Sequence, residues 1–372
     1  AGHAQGEGGL QSFDLLINHF RLLNSDFGST RLLLSQQNKA LMIRATGTNF
    51  EGSANIPDAK NEPIVGRFNK VYFKKSVAVP VDSATKLNTT DTIIKPAELP
   101  AIDLSIDDLR FADFPMGRAE ILTAPTAQGM QILKLNTQST LLTITSNGSW
   151  QGLGKQERVA INSQINSPDL GKLMTNMHYE NVLNQGKLKA KFTMAWPGSP
   201  LDFSMQSIKG ALDIDVTDGQ LLSVEPGGKG RVLGLFSLAE IPRRLSLDFK
   251  DFFGKGFAFN KITGHFDFDK GSADTDNLII IAPAADIKIT GRTDLVNQQF
   301  NELVVLRPKT SGLLPVIGAI AAGPIGIVAG VVAQAVLKKP IGDTTTIHYH
   351  ITGPWAKPDV KKVEPPKSPA NK

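Results

Sequence analysis

Most segments of this chain alternate apolar and polar residues with period two, and no other feature narrows the choice of fold so far. A period of two places apolar side chains on one face of a strand, whereas a helical face needs a period of 3.6. Ile102, Leu104 and Ile106 alternate with Asp103, Ser105 and Asp107. Leu212, Ile214 and Val216 alternate with Asp213, Asp215 and Thr217, and Phe266 and Phe268 flank Asp267. Towards the end, Ile347, Tyr349 and Ile351 alternate with His348, His350 and Thr352. Turn-forming clusters such as "TDG", "DKGS", "SNGS" and "LNQGK" punctuate the runs. Helical spacing is scarce, and short helices are expected only near 168–177 and 229–240. The fold class expected is mainly β: an elongated, curved antiparallel sheet forming a groove, a taco-like meander with a few short helices.

Two stretches match without gaps at an offset of 89 residues. "DLLINHFRLLNSDFGSTRL" begins at Asp14 and "DLSIDDLRFADFPMGRAEI" at Asp103, with Asp14, Leu15, Ile17, Arg21 and Gly28 answered by Asp103, Leu104, Ile106, Arg110 and Gly117. Gly47, Gly148, Gly291 and Gly353 end a second echo, read as a strand followed by a turn glycine. Together these suggest a meander grown by repetition, whose units bury one another's apolar faces. The organisation expected is a meander over 1–73, a loop over 74–100 and the groove over 101–307. An apolar hairpin over 308–340, a final strand over 341–355 and a disordered tail over 356–372 complete it.

The hairpin is read from "TSGLLPVIGAIAAGPIGIVAGVVAQAVL", Thr310 to Leu337, 28 residues without a charge. That length is enough for a transmembrane helix. Pro315 and Pro324 divide it, however, and proline sits well at a helix N-terminus and poorly in its interior. The arm from Ile325 to Leu337 would be roughly 20 Å long at 1.5 Å per residue, short of the ~30 Å hydrocarbon core. Arg307 and Lys309 flank one end, Lys338 and Lys339 the other, so both ends suit the same polar surface. The expectation is two short arms that dip into one leaflet through Leu313, Leu314, Ile317, Ile320, Ile325, Val328, Val331 and Val332, or that pack on the sheet.

Composition excludes more than it assigns. A net charge of +5 over 372 residues gives no warrant for nucleic-acid binding. From Lys338 onward seven lysines against three acids give +4, a tail suited to an anionic surface or simply solvated. There is no cysteine, hence no disulfide or thiol chemistry. The chain begins at Ala1 and reads as a fragment or a processed form.

The search for chemistry finds none that fits. "DIDVTDG" spaces Asp213, Asp215 and Asp218 like a calcium loop, but Val224 occupies the position that needs a bidentate acid. His348 and His350 share a strand face without a third zinc ligand nearby. "GGKGRVLG" lacks the Ser or Thr that follows a P-loop lysine, and no G-x-S-x-G elbow occurs. The expectation is therefore no catalytic residue, no metal, no cofactor and no enzyme.

One resemblance is specific. "GRVLGLFSLAEIPRRLSLDFKDFFGKGFAFNKITGHFDFDKG", Gly230 to Gly271, then "ADTDNLIIIAPAADIKITGRTDL" and "HYHITGPWAKPDV", resemble the C-terminal region of the YhdP group of AsmA-like envelope proteins, to which TamB is related. The likeness is specific from about Ser167 to Val360. Its N-terminal half matches only in style. The resemblance implies phospholipids moving along a β groove across the periplasm of a Gram-negative bacterium. It also implies an inner-membrane anchor helix outside this stretch, and a C-terminal end near the inner leaflet of the outer membrane.

The residues support that reading independently. An acyl chain leaves a bilayer at about 0.8 kcal/mol per CH₂, on the order of 10 kcal/mol in all, so it needs a continuous apolar path. Leu104, Ile106, Leu212, Ile214, Val216, Phe266, Phe268, Ile287, Ile289 and Tyr349 would line it, and Arg243 and Arg244 would meet headgroup phosphates or an acidic partner, or stand solvated on a plug that caps the sheet's end. For each lining residue ordinary core is the alternative. The second functional reading is an envelope assembly or scaffold protein, similar to TamB, that handles polypeptide clients at sheet edges.

Overall fold

The computed structural model describes residues 12–23, 25–37, 39–59, 61–74, 95–222, 257–309, 346–355 and 358–364. The chain divides into two compact units: Ala1–Ser163 with Ala195–Phe203, and Gln164–Met194 with Ser204–Lys372.

Strands β1 (Ser12–Ile17), β2 (Arg21–Leu22), β3 (Ser25–Asp26), β4 (Thr30–Gln37), β5 (Ala40–Gly47), β6 (Phe50–Pro57), β7 (Ile64–Phe73), β8 (Ile102–Phe111), β9 (Phe114–Thr126), β10 (Gly129–Gln138) and β11 (Thr143–Gln151) belong to the first unit. β1 pairs with β4, and β4 to β7 follow as antiparallel neighbours in chain order, as do β8 to β11. β2 and β3 form a separate two-stranded ribbon. β7 and β8 pair in parallel, from Ile64 opposite Ile102 to Phe73 opposite Phe111. Parallel neighbours require a long crossover, and residues 74–101 join the two strands; most of the expected loop, 74–100, lies outside the described residues. Its described end carries a short 3-10 turn at Pro96–Glu98.

The core of this unit is aromatic. Phe27 is fully buried, with Ala45, Phe50, Val71, Ile106 and Ala119 around it. Its ring lies 5.0 Å from Phe50 and 5.3 Å from Phe73, both edge-on, an arrangement that the ring quadrupole favours.

β12 (Arg158–Ser167) and β13 (Leu183–Pro197) each have residues in both units. The second unit holds α1 (Leu170–Asn176), β14 (Lys209–Leu221), β15 (Phe257–Asp269), β16 (Ser272–Ile281), β17 (Ala285–Asp294), β18 (Gln299–Pro308), β19 (Ile347–Pro354) and β20 (Asp359–Val363). From β15 to β20 every strand pairs antiparallel with its predecessor. α1 forms where sequence placed a short helix. Asp169 caps it by accepting from the Lys172 N–H at 3.0 Å, and Leu170, Leu173 and Met174 supply its buried side. The structure thus realises the mainly β meander, with few and short helices.

Three of the four turn signals are not turns. "DKGS" does join β15 to β16, but "SNGS" lies inside β11, "TDG" inside β14 and "LNQGK" inside β13. Asp218 and Gln185 adopt φ of 58° and 60° there. Residues that tolerate left-handed geometry serve irregularities within long strands as readily as reversals between them. The glycine echo needs the same correction. Gly148 and Gly291 are interior to β11 and β17, where a Cβ would stand 2.1 Å from the Ala160 carbonyl oxygen and 2.4 Å from that of Asn301. In the gapless repeat, Gly28 and Gly117 do share one conformation, with φ of 77° and 80°. Residues 359–363, read as part of a disordered tail, are strand β20.

Candidate functional site

Strand register turns the sequence pattern into a surface. In the second unit, Val216 stands opposite Ile262, Ile262 opposite Ile280, Ile280 opposite Ile287, Ile287 opposite Leu306 and Leu306 opposite Ile347. This row crosses six strands, about 24 Å at ~4.8 Å per strand. Beside it runs Leu278, Ile289, Val304 and Tyr349. Neither row contains a charge, and their members are 0–7% exposed.

Of the sequence-derived lining set, Ile214, Val216, Phe266, Phe268, Ile287, Ile289 and Tyr349 are buried, and Leu212, opposite Phe266, is half-buried. Phe268 stands opposite Gly210, and its ring meets that of Phe192 edge-on at 5.7 Å.

In the first unit the corresponding face is more open. Phe13, Leu34, Ile43, Ala54, Gly66, Leu104 and Ile121 form one register-aligned row, and Leu15, Leu32, Ala45, Gly52, Phe68, Ile106 and Ala119 another. Each row carries two adjacent small residues between large ones, Ala54 and Gly66 in the first and Ala45 and Gly52 in the second. Ile106 is buried, Leu104 is half-buried, and Phe13 and Leu15 are 52% and 45% exposed. A Cβ built on Gly66 would lie 2.5 Å from Leu104 Cδ2, so the leucine lies over the glycine.

The opposite face carries paired charges. Arg67 meets Asp103 at 3.0 Å and Lys70 meets Glu51 at 2.9 Å. Arg292 grips Asp274 with Nε and Nη2 at 2.7 and 3.1 Å. The supposed calcium acids are engaged in the same way: Asp213 by His265 at 2.6 Å, Asp215 by Lys261 at 3.0 Å and Asp218 by Lys187 at 3.7 Å. The Asp213 hydrogen bond holds the His265 imidazole above its ordinary pKa. His350 Nε2 bonds Asn301 at 2.9 Å, and no group of three metal-ligating side chains occurs among the described residues.

A carboxyl on β18 breaks the separation of faces. Glu302 occupies an apolar-face position of β18 between Gly291 and Ile351, 8% exposed, and its Oε1 accepts from the Thr293 hydroxyl at 2.6 Å. Burial raises its pKa, against the lowering effect of the Thr293 hydrogen bond. Sequence reading missed it, although "FNELVVL" sets Glu302 in phase with Phe300, Val304 and Leu306. Val304, Leu306, Ile262 and Ile280 were legible in the same way. Phe192 was not, because only register brings it to Phe268.

Arg243 and Arg244 lie outside the described residues. So do the expected helix near 229–240 and the apolar segment with Leu313, Leu314, Ile317, Ile320, Ile325, Val328, Val331 and Val332. Among described residues no helix is long and apolar enough to cross a membrane.

No solved structure matches the chain. It is 22% identical over 368 residues to the intermembrane phospholipid transporter YhdP of Escherichia coli (strain K12), an alignment covering 97% of this chain and 29% of that protein. The chain therefore spans less than a third of the length of this relative. The family model described as YhdP protein matches residues 3–360, and the chain belongs to the YhdP family.

Proposed function

We propose that this chain is part of a non-enzymatic conduit that moves phospholipids between the inner and outer membranes of a Gram-negative envelope, in the periplasm. The observation that carries the reading is the set of uncharged, register-aligned rows in each unit, closely buried in the second and more open in the first, with paired charges on the opposite face. Such a surface offers acyl chains a substitute for hydrocarbon, where each CH₂ is worth about 0.8 kcal/mol, while the charged side keeps the protein in water. The family and the name of the Escherichia coli relative support the same substrate class. Leu104, Ile106, Leu212, Ile214, Val216, Phe266, Phe268, Ile287, Ile289 and Tyr349 would contact the chains.

The finer assignments rest on sequence. Leu313 to Val332 would engage a membrane leaflet, and Arg243 and Arg244 would meet headgroup phosphates, since the guanidinium fork donates two hydrogen bonds. Replacing Ile320 and Val328 with Lys should then release the protein from liposomes without unfolding it, because a charge deep in hydrocarbon costs roughly 3 kcal/mol. Unaltered liposome binding would remove the segment from the mechanism.

The conduit itself is tested by placing a photo-reactive phenylalanine at Phe68 or Leu212, both half-buried on apolar faces, and at Lys288 on the charged face. Irradiation in the cell followed by mass spectrometry should find phospholipid adducts at the first two positions and none at Lys288. Absence of lipid at both apolar positions would sink the proposal.

A further inference from the structure

We propose that Glu302 makes acyl-chain occupancy of the second unit's apolar face proton-linked: chains rest there while its carboxyl is neutral and are expelled when it ionises. The inference rests on the conduit reading and adds a control to it. A carboxyl is the least suitable group to find at such a position. Its neighbours on the apolar face are Phe300 and Val304 along β18, Gly291 and Thr293 on β17, and Ile351 and Tyr349 on β19. Thr293 supplies one neutral hydrogen bond at 2.6 Å, and among the described residues no charge compensates the carboxylate. Of the titratable groups on the flanking strands, only the Tyr349 phenol shares the face. Asp286, Lys288, Arg292 and Asp294 of β17, His348 and His350 of β19 and Arg307 of β18 take the opposite parity. Further off, Lys362 of β20 is opposite Tyr349 and exposed, and Asp276 of β16 is exposed.

A structural role alone would be served better by Gln or Leu. A neutral acid accepts the Thr293 bond and still leaves the face uncharged. An ionised one, buried without a cation, must draw in water or move to it. Either event removes the dry contact that holds a hydrocarbon chain. Conversely, a chain lying across Glu302 strips it further of water and holds the proton more firmly, so chain binding and proton binding reinforce each other.

The experiment measures transfer of pyrene-acyl phosphatidylcholine from vesicles to the protein between pH 4.5 and 9, a range in which that headgroup does not change charge. Wild type should bind best at the acid end and lose affinity with a slope approaching tenfold per pH unit above the carboxyl's pKa. Glu302→Gln should bind at pH 9 as wild type does at low pH, with a flat profile. A flat wild-type profile with probe bound, or an equal slope in Glu302→Gln, would overturn the proton linkage and leave the conduit standing. Absence of binding at every pH by both proteins would overturn conduit and linkage together.

Discussion

Replacing Leu104 with Asp puts a carboxylate in the middle of the more open apolar face, and the structure sets both its costs. The leucine is half-buried over Gly66, so its removal forfeits about 1 kcal/mol, half the ~1.5–3 kcal/mol for burying a whole aliphatic side chain. A half-exposed position lets the new carboxylate reach water, which keeps the total destabilisation near 2 kcal/mol, or a shift in midpoint of roughly 4–8 °C for a unit of this size. The protein should therefore remain folded, with its strand signal in circular dichroism unchanged. A hydrocarbon chain passing the same point meets a charge it cannot solvate. At roughly 3 kcal/mol, with each ~1.4 kcal/mol a factor of ten, lipid occupancy at the site should fall about a hundredfold. Photo-reactive residues at Leu34 and Leu135, on the same face on either side of position 104, report passage. The ratio of lipid adducts at the two should change at least tenfold in Leu104→Asp, and Leu104→Asn should change it less. Lowering the pH until the new carboxyl is protonated should restore the ratio. An unchanged ratio in a folded Leu104→Asp protein would refute the idea that lipids follow this row.

Two further outcomes test the architecture. Phe27→Ala empties the centre of the aromatic core, where the side chain has no exposure and touches rings on several strands, and should cost about 3–5 kcal/mol in urea unfolding; a loss under 1 kcal/mol would mean that the cluster collapses to fill the space. Gly291→Val forces a β-branched residue to φ 135° with its Cβ 2.4 Å from the Asn301 carbonyl oxygen, and should cost at least about 1–3 kcal/mol while Thr290→Val, on the other face, is tolerated. The acid limb of stability should also carry the mark of Glu302. A carboxyl whose folded pKa is raised above its unfolded value stabilises the fold most at low pH and loses that contribution as pH rises from the unfolded pKa through the folded one, so the thermal midpoint of wild type should decline relative to Glu302→Gln over that interval.

How much of this could be read without coordinates depended on the range over which each feature is determined. Alternation is local, so the mainly β class and the apolar faces of β8, β14, β15 and β19 were legible from Ile102, Leu212, Phe266 and Ile347 onward. A strand fixes its own two faces but not its partner. Nothing in "IVGRFNKVYF" or "IDLSIDDLRF" announces that β7 and β8 run parallel across the connection 74–101, and nothing in "KFTMAW" places Phe192 against Phe268. Turn chemistry misled for the same reason. Gly148, Asp218 and Gly186 satisfy the local rule for a reversal, yet whether the chain reverses there depends on the strand beside it, which continues. Glu302 is the instructive exception. Its phase was plain in the sequence, and a pattern-based reading passes over it because acids are expected on the water side. An acid held at an apolar position, bonded among the described residues only to Thr293, is costly for a protein to keep unless its proton has work to do. If lipids follow the apolar face as proposed, that cost makes Glu302 the natural place for it to respond to pH.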